Sequence, residues 1–203
     1  MGIFHKKAKA IKRREPETIG IVGAVPGSGT THLALSLSYY LSGGMGRRTA
    51  CVEMSQGRAL AGLERSVYGE EGRGQEFAYC GVTYVKDGAP SDFVKLINRD
   101  YEEVIADMGR EYERIRLDFL RCQKKMVTAS FYPWQEEDFE WFMEGAAFEE
   151  GYREWLYCCS FGQPEAVRRA ERRYGITVRR VPFQQDFYHL TGQELESFRR
   201  LLG

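Results

Sequence analysis

Ile19–Leu41, IGIVGAVPGSGTTHLALSLSYYL, decides how this chain is read. An apolar run leads into the glycine-rich GAVPGSG, and Leu33, Leu37, Tyr40 and Leu41 then recur at helical spacing. A buried strand, a tight loop and a helix in that order make a phosphate-binding connection. Backbone N–H groups at the helix N-terminus converge on an anion, and glycines permit its close approach. The pattern G-x-x-x-x-G-K-[ST] adds a lysine for the β- and γ-phosphates and a hydroxyl for Mg²⁺. Here the aligned residues are Ala24-Val25-Pro26-Gly27-Ser28-Gly29-Thr30-Thr31, with Gly23 one position ahead of the expected leading glycine. Thr31 supplies the Mg²⁺ hydroxyl, but Thr30 stands where the lysine belongs. The cradle is kept and its cation is lost. An arginine from elsewhere, or His32, is a candidate replacement, although His32 reads better as an ordinary residue of the first helical turn. The competing reading of the whole stretch is a Gly-rich connection that holds no ligand.

Outward from the loop, apolar runs alternate with helical patterns, which predicts a parallel sheet with crossover helices. Strands are expected at Thr18–Ala24, Thr49–Met54, Ala78–Val85, Glu103–Asp107, Lys125–Phe131, Glu154–Ser160 and Ile176–Val181. Several are apolar on both faces, as buried parallel strands are. Helical spacing recurs at Phe139, Phe142, Met143 and Ala146, then at Val167, Ala170 and Tyr174 before the stop signal Gly175, and last at Leu195, Phe198 and Leu202. The predicted fold is α/β, a single doubly wound, mostly parallel sheet flanked by helices. Residues 1–17 are expected as a basic tail and 18–203 as one P-loop domain.

A second station supports the loop. Tyr101–Gly109, YEEVIADMG, reads as a strand ending in Asp-x-Gly. Asp107 is placed to hold Mg²⁺ through water, and Gly109 to sense a terminal phosphate. The alternative is an Asp that caps the turn after a buried strand.

Charge is balanced over the chain, with 29 basic and 29 acidic residues, but unevenly spread. Residues 1–15 hold six basic residues against Glu15, which leaves 23 basic and 28 acidic for the rest. An acidic body argues against a general nucleic-acid-binding surface. The five cysteines form no C-x-x-C pair and read as buried reduced thiols; Cys158 and Cys159, adjacent in a strand, should face opposite sides. No apolar run reaches the ~20 residues of a membrane span. A cytoplasmic location is expected. The tail, with Ile3, Phe4 and Ile11 among its cations, offers weak peripheral contact at the inner membrane face, though a solvated tail is the preferred reading.

The order of these elements resembles the ParA/MinD family of P-loop ATPases from about Thr18 onward. GAVPGSGTTHLA is similar to that family's K-G-G-x-G-K-T segment, and YEEVIADMG to its Y-D-x-I-I-x-D-x-G strand. RRTACVEMSQG, KKMVTASFYPW and ITVRRVPFQQD resemble further strands of the family, the last ending in Val–Pro. The best match is the divergent branch with degenerate loops, including the TadZ/CpaE proteins that position Flp-type pilus machinery. The resemblance implies a nucleotide-dependent homodimer, ATP or ADP with Mg²⁺ as cofactor, a positioning or assembly role, and a pilus or secretion protein as partner. Gly23, Pro26, Gly27, Ser28, Gly29, Thr30, Thr31, Asp107 and Gly109 would then bind the nucleotide, with Thr31 and Asp107 on the metal. The departures are specific. The signature lysine that crosses the dimer falls at Val25, the loop lysine at Thr30, the switch acids reduce to Glu53, and LYCCSFGQ lacks the adenine-side asparagine. No catalytic residue is assigned, and a pseudo-ATPase scaffold is expected. Its alternatives are an ATPase with substitute cations and an interaction protein that binds no nucleotide.

Phe131, Tyr132, Trp134, Phe139, Trp141, Phe142 and Phe148 concentrate the aromatic content. Two readings are open, a partner-docking surface beside the nucleotide site and core packing. Core packing is expected to absorb most of them, with Tyr132-Pro133-Trp134 at a strand's C-terminal end, where α/β ligands bind. Glu136–Asp138 and Glu149–Glu150 read as helix-start and surface charges.

Overall fold

The computed structural model describes residues 14–184 and 186–203, so the tail residues Ile3, Phe4 and Ile11 lie outside the described part. Its strands are β1 (Glu17–Gly23), β2 (Thr49–Glu53), β3 (Glu76–Tyr79), β4 (Val82–Val85), β5 (Glu103–Asp107), β6 (Lys124–Phe131), β7 (Leu156–Gly162) and β8 (Val178–Arg180). They form one eight-stranded sheet in the order β3-β4-β2-β5-β1-β6-β7-β8. Every pairing is parallel except β3 with β4. The predicted α/β, mostly parallel sheet is the observed one, and β1 sits between β5 and β6 near its centre.

One expected strand, Ala78–Val85, is two. Cys80 (φ 48°) and Gly81 (φ 77°) both adopt left-handed backbone and turn the chain into a β3–β4 hairpin. Two consecutive positive φ values are what a two-residue hairpin loop with matching twist requires. Apolar alternation continues through the turn, and cysteine carries no turn signal, so the sequence pattern hides it. This also corrects the cysteine reading: Cys51, Cys122, Cys158 and Cys159 are buried free thiols, whereas Cys80 is exposed.

Helices α1 (Thr30–Tyr39), α2 (Ala59–Tyr68) and α7 (Gly192–Leu202) cover one face of the sheet; α3 (Pro90–Ile97), α4 (Tyr112–Arg121), α5 (Glu136–Ala146) and α6 (Pro164–Tyr174) cover the other. Successive strand residues alternate between the layers. Ile21, Ile105 and Cys158 pack toward α1, while Val22, Ala106 and Cys159 pack toward α4 and α5. Cys158 and Cys159 therefore do face opposite sides. Each fully buried Leu, Ile or Phe contributes ~1.5–3 kcal/mol of transfer free energy, so a sheet covered on both faces carries most of the fold's driving force. Close packing sets local limits: a Cβ on Gly20 of β1 would lie 2.8 Å from Cys122 Sγ at the end of α4. Among the described residues no helix is long and apolar enough to cross a membrane.

Candidate functional site

The loop between β1 and α1 lies at the C-terminal ends of the central strands, the usual ligand position in such sheets. Gly27 (φ 66°) and Gly29 (φ 90°) are left-handed, a conformation that side chains resist, and Gly29 caps α1 without any side-chain partner. The loop is anchored from below: Ala24 N–H donates to Thr128 O at 2.8 Å and Gly23 N–H to Gly109 O at 2.7 Å. Among the described residues, the amides of Gly27, Gly29, Thr30 and Thr31 have no protein acceptor. Open N–H groups at the start of a helix with no acid in its first turn favour an anion. Pro26 contributes no donor, and its carbonyl accepts from Gln135 Nε2 at 2.7 Å. Its part in the site is shape alone.

Thr30 turns inward beneath this cradle. Its hydroxyl lies 2.9 Å from Thr128 Oγ1, and Ser28 Oγ lies 2.9 Å from the same atom. A Cβ on Gly23 would meet Thr30 Oγ1 at 2.7 Å and Ser28 Oγ at 2.8 Å. Gly23 is thus needed for room, and the space under the loop belongs to three hydroxyls. Val25, at the second lysine position of the resemblance, is buried in the core. One cation near the loop was not named in the sequence reading. Arg110 Cβ lies 3.6 Å from a Cβ built on Gly23. Arg110 is exposed and has no ion pair among the described residues. Its one sequence signal was its place directly after Asp-x-Gly.

Thr31 and Asp107 do come together. Thr31 Oγ1 donates to Asp107 Oδ2 at 2.5 Å, and Gly109 N–H donates to Oδ1 at 3.1 Å. Asp107 is 2% exposed. Burial pushes its carboxyl above the usual range, against the opposing pull of the Thr31 and Gly109 hydrogen bonds. Gly109 (φ 62°) cannot be replaced without conflict, since a Cβ would sit 2.7 Å from Ser55 Cβ. Glu53 lies beside Asp107 in the β2–β5 register but is turned to another task. Its oxygens accept from Ala59 N at 2.7 Å and Leu60 N at 3.1 Å, so it caps α2. Burial also raises the Glu53 carboxyl. Among the described residues no cluster of three His, Cys, Asp or Glu could hold a metal by itself. A hydroxyl and one carboxylate fit Mg²⁺, a hard cation that keeps several waters and takes substrate phosphates as further ligands.

The flank of the loop toward β7 and β8 is closed. His32 stacks on Phe183 (centroids 4.4 Å, 9°), meets Phe187 edge-on at 5.2 Å, and pairs through Nε2 with Gln184 O at 2.9 Å. Ser36 Oγ donates to Gln184 Oε1 at 2.6 Å. Gln184 Nε2 is buried without a partner. The remaining cavity beside Gly29, Thr128 and Ser160 is about 10 Å³, about one water's worth. His32 clasps this strap and does not replace the lysine. A concavity of about 790 Å³ lies at the opposite end of the sheet beside Glu17, Arg47 and Glu103.

This sheet order and loop give the chain the ParA/MinD P-loop fold. Among solved structures it is similar to a plasmid partition protein of Borrelia burgdorferi bound to AMPPNP (TM-score 0.67, 10% identity, 92% of this chain and 97% of that one). It is also similar to a chain of the MinC:MinD cell-division complex of Aquifex aeolicus (0.64, 14%, 92% and 95%). A third counterpart is the septum site-determining protein MinD of Pyrococcus horikoshii complexed with Mg-ADP (0.58, 15%, 92% and 94%). No protein-family model matches the chain, and no curated protein matches it in sequence. At such identities the likeness is one of fold.

Proposed function

We propose that this protein is a degenerate ParA/MinD-like nucleotide-binding protein that acts as a dimeric positioning or assembly scaffold, with weak or no ATP hydrolysis. The observation that carries the reading is the split at adjacent residues: Thr31 reaches Asp107, while Thr30 is spent on Thr128. Backbone amides of Gly27, Gly29, Thr30 and Thr31 would hold the phosphates of ATP or ADP, and Thr31 with Asp107 would hold Mg²⁺, which neutralises phosphate charge when bound. Gly109 and its amide keep Asp107 aimed at the hydroxyl. Efficient phosphoryl transfer also needs cations on the charge that develops at the transferred group, and Thr30 and Val25 supply none.

Counterparts crystallised with AMPPNP and Mg-ADP support the choice of ligand, and one within a MinC:MinD complex supports a protein partner. By the same reading the branch is that of TadZ/CpaE, the partner belongs to pilus or secretion machinery, and the site of action is the cytoplasm or its membrane face. A second reading, an ATPase with a substitute cation, is favoured by one observation, the exposed Arg110 beside Gly23. Calorimetry of the full chain with ATP and Mg²⁺ should show saturable binding that Asp107→Ala weakens. Absence of binding at millimolar nucleotide would leave only the interaction protein. Steady turnover abolished by Arg110→Ala would establish the second reading.

A further inference from the structure

The outer ridge of α5 and its flanks repeats a ring-then-carboxylate pattern every seven residues, about two helical turns. Trp134, Glu137, Trp141, Glu144 and Phe148 follow one another at spacings of three and four. Glu137, Trp141 and Glu144 share the helix face opposite the buried Phe139, Phe142, Met143 and Ala146, with Trp134 in the 3-10 turn before α5 and Phe148 just after it. The three rings are among the most exposed apolar groups described, at 74%, 67% and 87%. They are not loose ends: Trp134 stacks on Tyr132 at 4.7 Å, and Trp141 and Phe148 rim a 150 Å³ notch with Glu113, Glu144 and Gly145. Between Lys125 and Arg153 the chain has seven acids and no Lys, Arg or His. Glu136 and Glu140 pair with Arg169 and Arg173 of α6, and Glu149 with Arg116 of α4. Glu137, Asp138 and Glu144 have no ion pair among the described residues.

We propose that this ridge docks a basic amphipathic helix of a partner protein, with apolar side chains against the rings and Lys or Arg between them. The α5 part of the ridge, from Glu137 to Glu144, spans ~10 Å, about two helical turns. A cation set between exposed rings gains from their π faces as well as from the flanking carboxylates. Charge selects this occupant over the others. A second copy meeting the ridge with its own ridge would bring carboxylate against carboxylate, and an anionic membrane would repel the same groups. The proposal is independent of the nucleotide site.

Fluorescence anisotropy of a fluorescein-labelled 18-residue peptide, with Leu and Lys at spacings of three and four, tests it on the full chain. Binding should saturate, and W141A/F148A should weaken it about tenfold with an unchanged thermal melt. The E137K/E144K variant should lose the Lys peptide and gain the same peptide with Glu for each Lys, a swap that a merely structural role would not produce. Equal affinity of both variants for the Lys peptide, or no saturation by millimolar, would overturn the proposal. So would ridge-dependent binding to phosphatidylglycerol vesicles, or a dimer that W141A/F148A dissolves. A tenfold gain in peptide affinity on deleting residues 1–13 would make the chain's own basic segment the occupant, and would overturn it likewise.

Discussion

At Thr30 a short hydroxyl side chain takes the place of a long cation, and the consequences differ by neighbour. Thr30 completes a hydroxyl cluster with Ser28 and Thr128 that leaves no room for a Cβ on Gly23. Gly23→Ala should therefore cost ~1–3 kcal/mol, read as a lowered denaturation midpoint at unchanged slope. Arg110 touches none of this. Arg110→Ala should leave the midpoint in place while weakening Mg-ATP about tenfold by calorimetry, the usual scale of one charged hydrogen bond. Glu103 is a separate case at the far end of the sheet. Burial first, and Glu17 next, push its carboxyl up to about 7, and its Oε2 has no hydrogen-bond partner. The folded state thus holds that proton more tightly than the unfolded one, and stability falls as pH rises from the ordinary carboxylate range to about 7. Glu103→Gln should raise the melting temperature at pH 8 and leave it nearly unchanged at pH 4.

Among the elements, the parallel strands were legible because continuous apolar runs bounded by turns have few other readings. Glu103–Asp107 was read to the residue. The β3–β4 hairpin was not, since its turn is made by Cys80 and Gly81 inside an unbroken apolar alternation. Thr128, Gln184 and Arg110 were invisible as site residues because each joins the loop through the fold, from β6, the β8 extension and the turn after β5. Three of the seven aromatics depart from the core-packing expectation. Phe131 of β6 and Phe139 and Phe142 of α5 are core, while Trp141 on the outer side of α5 and Trp134 and Phe148 beyond its two ends are exposed. A further tie escaped the sequence altogether. Lys86, after β4, donates to Glu64 of α2 at 2.5 Å and to Gly72 O at 3.0 Å, with both side chains buried. Lys86→Met leaves a buried carboxylate unpaired and should destabilise by ~3–5 kcal/mol, measurable by urea denaturation.

Over the whole molecule, the proposed nucleotide binding would be linked to folding through the loop that joins β1 to α1. A nucleotide at a hundredfold its dissociation constant stabilises by ~2.7 kcal/mol, which for a chain of this size shifts the melt by about 5–10 °C. Burial raises the Asp107 carboxyl, so acid favours a protonated form that cannot ligate Mg²⁺. The shift produced by Mg-ATP should therefore shrink on acidification, whereas Asp107→Asn should flatten the trend.

The hairpin turn at Cys80 has a practical corollary. Four of the chain's five thiols are interior, and burial pushes those of Cys51, Cys122 and Cys158 up to about 12. The fifth stands in solvent at the tip of the edge hairpin. A maleimide added to the native protein should therefore attach one dye per molecule without any cysteine being engineered. That gives a ready-made reporter at the sheet's rim for distance measurements to the tryptophans.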